Sequence, residues 1–507
     1  MVDIVNSLKI PKSPGYDDIG NLLLKNIITE ITTPLTHIMN LSLVQGIVPE
    51  KMKTAKVIPI YKKGDAQELG NYRPISLLTA FSKILEKIVY SRLSKFLHDC
   101  NILRDTQYGF RQKHSTIHAI LTLVHKIAKA IDDHSHTIGI FLDFSKAFDT
   151  INHNILLYKL SHYGIRGKPL CWFTSYLSGR KQFVNINNTD STPMMVTCGV
   201  PQGSLLGPLL FILYINDFCN SSKDLSFILF ADDTNIFLSH KNPNTLLYKV
   251  NSELNNVLDW IRANKLSLNV NKTNYMLFSN SLNTLPGNIV INNLNVAQVN
   301  TTKFLGLHID SKLTWKNHTN IICQTISRNT GILHKLKTFL PHHILRMLYS
   351  TLISPHINYG ILAWGNSSKL QINKIFLIQK RALRNINNTA FYSHTNPLFY
   401  NSNILKIDDL YLFNLGVFMF QLSHGDLPPA LSSMFVLNTT IHSYPTRHSQ
   451  CFQLPRTRTV FSHNTIFFTG PKYWNELNPS LKENNTLSTF KRKYRLTLLD
   501  GYNNMSS

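Results

Sequence analysis

The sequence is short of acid. Its 507 residues hold 28 Asp and Glu against 52 Lys and Arg, a formal net charge of +24. That excess favours a polyanionic partner, either nucleic acid or an acidic membrane surface. Cysteine is also sparse. The six stand apart at Cys100, Cys171, Cys198, Cys219, Cys323 and Cys451. None forms a CxxC and none has zinc-ligand spacing with histidine, so structural zinc is excluded and a reducing compartment is expected. Long hydrophobic runs are missing. The longest, Leu205 to Ile215, is interrupted by Gly207 and Pro208 and falls well short of the ~20 residues that span a bilayer. Lys9 and Lys12 break up the short apolar opening, so no signal peptide is read. A soluble, intracellular protein is expected, in nucleus or cytoplasm. What is present is ordinary globular material, 43% hydrophobic, enough for more than one domain and a sizeable core.

Periodicity places the elements. "TAKVIPIY" (54–61) reads as a strand followed by the turn "KKGD". Leu77, Leu78, Phe81, Ile84, Leu85, Ile88 and Val89 recur at helical spacing. A second helix begins near Ser115, a candidate N-cap. "TIGIFL" (137–142) reads as a buried strand, and a helix follows from about Asn152. Gly207-Pro208 reads as a helix start with proline at the first position. Residues 225–231 and 234–239 read as a hairpin with two acids between its strands. Residues 311–385 read as helical and basic, and 386–507 as Asn/Ser-rich with scattered aromatics. Histidines such as His342, His343, His134 and His136 lack partners at ligand spacing and read as surface.

Three acids stand out by setting. Asp143 ends the strand "IFLD", and Asp232 and Asp233 sit in "LFADDTNIFL". Unpaired carboxylates are costly beside an apolar core, and adjacent ones repel. If strand and hairpin are neighbours in one sheet, the three converge at its rim. An all-oxygen ligand set with room for water and phosphate suits Mg²⁺, and two such ions can serve a hydroxyl nucleophile and a leaving oxygen. The bland alternative is a turn, where Asp accepts backbone hydrogen bonds. Taken alone, "ADDT" favours the turn.

Its company changes that balance. "GFRQKHST" (109–116), "FLDFSKAFDTINH" (141–153), "GVPQGSLLGPLLFILYINDF" (199–218), "FADDT" (230–234), "LSLNVNKTNYMLF" (266–278) and "FLGLHID" (304–310) follow in this order. Over about residues 10–385 the chain resembles the reverse transcriptases of non-long-terminal-repeat, LINE-type retrotransposons, most like the jockey group. The resemblance implies an α+β right-hand polymerase fold of fingers, palm and thumb. Residues 1–40 are then an N-terminal fingers extension, 41–310 fingers and palm, 311–385 a helical thumb, and 386–507 a C-terminal region of unknown role.

The resemblance also implies roles. Asp143, Asp232 and Asp233 are the palm carboxylates, joined at a metal by the backbone carbonyl of Phe144. The cofactor is Mg²⁺, two ions, with Mn²⁺ as the alternative. Phe148 takes the steric-gate position, where a ring collides with a ribose 2′-OH; core packing is its bland reading. Gln202 and Gly203 line the nucleotide and template pocket. Gly203 permits close approach, and Gln202 offers donor and acceptor. Arg73 takes the triphosphate-holding position, with Lys62 and Lys63 as rivals. Lys272 matches a lysine placed to protonate leaving pyrophosphate, against the plain alternative of a surface lysine. Asp149 is read as a helix cap rather than a ligand.

The implied activity is RNA-directed DNA polymerisation, with an RNA template, a DNA primer and deoxynucleoside triphosphates as partners and no membrane. Basic residues along 311–385 are expected on a duplex backbone. The competing reading is a decayed or co-opted element that binds nucleic acid without catalysis. A ribonucleotide-polymerising or maturase relative is disfavoured by Phe148 and "FADDT". The family's usual N-terminal endonuclease domain is not seen, so a truncated or shortened copy is expected. The tail "GPKYWNELNPSLKENNTLSTFKRKYRL" resembles tails of related elements and carries no Cys-His knuckle.

Overall fold

The computed structural model describes residues 1–10, 12–282, 284–440 and 451–502. It is mixed helix and sheet, and two sheets frame the region of interest. The first joins β1 (Thr54–Tyr61) and β2 (Tyr72–Leu77) as an antiparallel hairpin. Its body also includes β4 (Lys181–Ile186), β5 (Thr189–Asp190) and β6 (Met194–Met195), with β4 parallel to β1.

The central sheet is built on β3 (His136–Leu142), flanked by β8 (Asp233–His240) and β9 (Asn274–Phe278). β7 (Ser226–Phe230) lies outside β8, and β12 (Ala297–Gln298) outside β9. Two small hairpins complete the strands: β10 (Val290–Ile291) with β11 (Leu294–Asn295), and β13 (Thr301–Phe304) with β14 (Leu307–Asp310).

Side chains alternate across this sheet, and both faces are covered. Ile138, Ile140, Leu142, Ile236 and Leu277 join one apolar cluster, which includes the helix Leu206–Tyr214. Phe141, Ile228, Phe237, Met276 and Phe278 join another, with the helix Thr116–Asp132. A strand buried on both faces reads as continuous hydrophobic sequence, which is why "TIGIFL" shows no alternation. Each large apolar side chain buried here stabilises by about 1.5–3 kcal/mol. Gly139 is required in the middle, because a Cβ there would meet the Phe237 ring at 2.6 Å.

The second cluster does not stop at the sheet. It runs through the helices Lys316–Leu336 and Lys369–Ile386 and on to Phe399, Phe418, Phe420, Trp474, Phe490 and Tyr494. Most of the scattered aromatics after residue 386 are therefore core, while Phe391 and Tyr392 stay exposed. Trp364 is fully buried, and His318 packs edge-on to it at 5.7 Å.

Four local expectations are corrected. Ser115 precedes the helix Thr116–Asp132 as expected, yet its hydroxyl makes no cap bond. Pro208 is the third residue of its helix, not the first. It still forfeits nothing, because the first four N–H groups of a helix lack helical partners. Asp233 is not in the turn but opens β8, opposite Phe230, so only Ala231 and Asp232 form the turn. His342 and His343 are exposed as read, whereas His136 Nδ1 pairs with Ser279 Oγ at 2.7 Å.

Candidate active site

Register brings the acids together. β3 pairs with β8 up to Leu142 opposite Thr234, so the next step on each strand is Asp143 and Asp233. The turn holds Asp232 beside them. Asp143 is clasped from the other side by "LSLNVNKT". Asn269 N–H donates to Asp143 O at 2.8 Å, Ser145 N–H to Ser267 O at 2.8 Å, and the Asp143 N–H to Thr273 Oγ1 at 3.4 Å. These bonds bracket Phe144 and leave its carbonyl outside the pair, while its ring is buried edge-on to Phe218 at 6.3 Å. Lys272 Nζ lies 3.9 Å from Asp143 Oδ2, with both side chains well exposed, so as an ion pair it is weak.

The carboxylates act on one another. Asp233 keeps solvent-exposed surface, yet protein atoms crowd its inner side. That burial first, then the charges of Asp232 and Asp143, pushes its carboxyl up to about 6, with Lys62 opposing. Among the described residues, no three His, Cys, Asp or Glu side chains close on a common point as a ready metal centre. The donor chemistry nonetheless fits a hard divalent cation: oxygen donors only, mutually repelling, on adjacent strand ends.

A second set of residues gathers on the loop 199–204, which is tied to residues 148–151 and to β2. Gly199 N–H donates to Ile151 O at 2.8 Å and Val200 N–H to Phe148 O at 2.9 Å. Phe148 is half-buried and stacks on Phe211, with ring centroids 4.5 Å apart. Gln202 O accepts from Ser76 N–H at 2.7 Å, tying the loop to β2. Gly203 sits at φ +124°, where a Cβ would meet Ser76 O at 2.5 Å, so glycine lets this loop pack against β2.

Asp149 is corrected. Asn152, not Asp149, caps the helix His153–His162 by accepting from Ile155 N–H at 3.1 Å. Asp149 Oδ1 instead accepts from Gln202 Nε2 at 2.8 Å. Burial raises the Asp149 carboxyl, against the lowering effects of Gln202 and Lys146.

Arg73 is exposed on β2 opposite Ile60. Lys62, just past β1 with its N–H on Asn71 O at 2.9 Å, is the cation whose charge reaches Asp233. Thr273 and Gln107 carry no sequence signal of their own. Thr273 lies inside "LSLNVNKTNYMLF" beside Lys272. Gln107 lies two residues before "GFRQKHST", and only its structural partners reveal it.

Residues 60–309 match the family "Reverse transcriptase (RNA-dependent DNA polymerase)". This segment is a reverse transcriptase domain. Relatives agree over most of the chain. The probable RNA-directed DNA polymerase from transposon BS of Drosophila melanogaster is 30% identical over 427 residues, 81% of this chain and 46% of that protein. The RNA-directed DNA polymerase from mobile element jockey of the same species is 26% identical, covering 80% and 45%. The probable RNA-directed DNA polymerase from its transposon X-element is 28% identical, covering 78% and 44%. The chain belongs with the jockey-like, non-long-terminal-repeat retrotransposon reverse transcriptases. It spans about half the length of the curated relatives it matches. Among the described residues no helix is long and apolar enough to cross a membrane.

Proposed function

We propose that the chain is an RNA-directed DNA polymerase that adds deoxynucleotides to a DNA primer 3′-OH on an RNA template. The observation that carries the reading is the register that sets Asp143 beside Asp233 at the rim of the central sheet, with Asp232 in the adjoining turn. In this reading the β1–β2 hairpin belongs to the fingers, the central sheet to the palm, and 311–385 to the thumb.

Two Mg²⁺ ions, or Mn²⁺, held by Asp143, Asp232, Asp233 and the Phe144 carbonyl would lower the pKa of the primer hydroxyl and offset charge on the leaving pyrophosphate. The chain's own side chains do the rest. Lys62 and Arg73 bring positive charge from the fingers side to the triphosphate. Phe148, braced by Phe211, closes the space beside the sugar. Gln202 and Gly203 shape the wall where the base pair sits. Lys272 is placed to give a proton to the departing pyrophosphate.

The test supplies purified protein with an RNA template, a DNA primer, Mg²⁺ and either deoxy- or ribonucleotides. Extension with deoxynucleotides is expected, falling by about 10³-fold or more in Asp232→Ala. Template binding without extension would instead leave a nucleic-acid binder, and ribonucleotide use a different polymerase.

A further inference from the structure

The backbone just before the "GFRQKHST" box runs alongside the acidic hairpin. Tyr108 N–H donates to Leu229 O at 2.8 Å, and Leu229 N–H to Thr106 O at 2.9 Å. Gln107 thus bridges Leu229 as a short parallel strand. Its side chain is only 1% exposed. Its Oε1 accepts from two backbone N–H groups, Gly109 at 2.7 Å and Ala231 at 3.1 Å. Two N–H donors can be met only by the amide oxygen, so the orientation is dictated by chemistry. Nε2 is left buried without a partner among the described residues.

Ala231 is the first residue of the two-residue turn, and its φ is +55°. Primed hairpin turns need a positive φ at that place, which a residue with a Cβ adopts only against steric strain. Gly109 permits the approach, because a Cβ there would lie 2.5 Å from Ala231 N. The next two residues are Asp232 and Asp233. A buried amide group left without a partner is destabilising. Leucine would fill similar space without that cost, so packing alone does not account for glutamine here.

We infer that Gln107 is a positioning residue whose Oε1 holds Ala231 in the left-handed conformation and so sets the placement of the Asp232–Asp233 pair. Its effect on synthesis rests on the polymerase reading above; its hold on the turn does not.

Two measurements on the full chain test this. Amide exchange, read by mass spectrometry on peptides covering 226–236 without metal, should quicken about tenfold or more in Q107L, as expected for one lost hydrogen bond. Unchanged exchange overturns the inference. Primer extension at saturating deoxynucleotide should slow by about 10²-fold in Q107L, with KM for the nucleotide little changed. Adding A231G, which reaches a positive φ without strain, should recover at least about tenfold of that loss. Full activity in Q107L, or no recovery in the double variant, also overturns it. Should Q107L not fold, Q107N, one methylene short of Ala231, carries the same expectations. A wild-type chain that extends nothing defeats the polymerase reading, and the exchange experiment still decides the role of Gln107.

Discussion

Gln202 Nε2 donates to Asp149 Oδ1 at 2.8 Å, and this bond joins two segments that are separate boxes in the sequence. One N–H of the amide is held by the carboxylate, which fixes how Gln202 turns its remaining N–H and its oxygen, and in the polymerase reading these face the incoming nucleotide. Releasing the amide should therefore weaken nucleotide binding more than the chemical step. Asp149→Ala is expected to raise KM for the deoxynucleotide about tenfold, the worth of one well-made hydrogen bond. Steady-state kinetics with each nucleotide varied separately checks it; an unchanged KM would show that the pair only braces the fold.

Phe148 invites a sharper test. Its ring rests on Phe211 and is only half-buried, and in the polymerase reading its free edge is what a sugar would meet. Phe148→Ala should shift the preference for deoxy- over ribonucleotides by about 10–100-fold toward ribonucleotides. Competition between the two nucleotides on one template measures the ratio. If the preference stays put, the ring is packing and nothing more.

The charge on Asp233 has a pH signature. Its folded carboxyl, pushed up to about 6, binds a proton more tightly than the unfolded one near 3.8. Its contribution to stability is thus largest below about pH 4 and is lost as pH rises through about 6. Metal-free Asp233→Asn should melt above the wild type at pH 7.5, with the gap closing near pH 4. Millimolar Mg²⁺ should raise the wild-type melting point and leave the variant nearly unmoved. A variant that melts lower at pH 7.5 would contradict this.

Much of this site was legible because its parts are local. β3, the hairpin and the helix after Asn152 each announce themselves within a dozen residues, and the order of the boxes tied them together. The rest depends on long-range pairing. Asp149 and Asn152 are both good capping residues, and only Gln202, 53 residues away, decides which one caps. Gln107 looks like a polar loop residue until Ala231, 124 positions on, is found beside it. The aromatics after 386 looked scattered because their partners lie on distant helices and on one another.

That C-terminal packing yields a last prediction. The helix Thr116–Asp132 covers one face of the central sheet, and its final carbonyls have no helical partners. Arg458 supplies them: Nη2 donates to Ile131 O at 2.7 Å and Nε to Asp132 O at 2.9 Å. A guanidinium at a helix C-terminus also meets the negative end of its dipole. The Asp132 carboxylate in turn accepts from Thr459 N–H at 3.0 Å and Thr459 Oγ1 at 2.7 Å. Four bonds thus join the end of this helix to a segment more than three hundred residues later. Arg458→Ala should cost about 1–2 kcal/mol, moderated by the exposure of the arginine, and lower the urea midpoint without changing the slope. Arg458→Lys keeps the charge but not the fork, so it should fall between the two. A midpoint that moves in neither variant would mean that the apolar cluster alone holds the C-terminal region to the sheet.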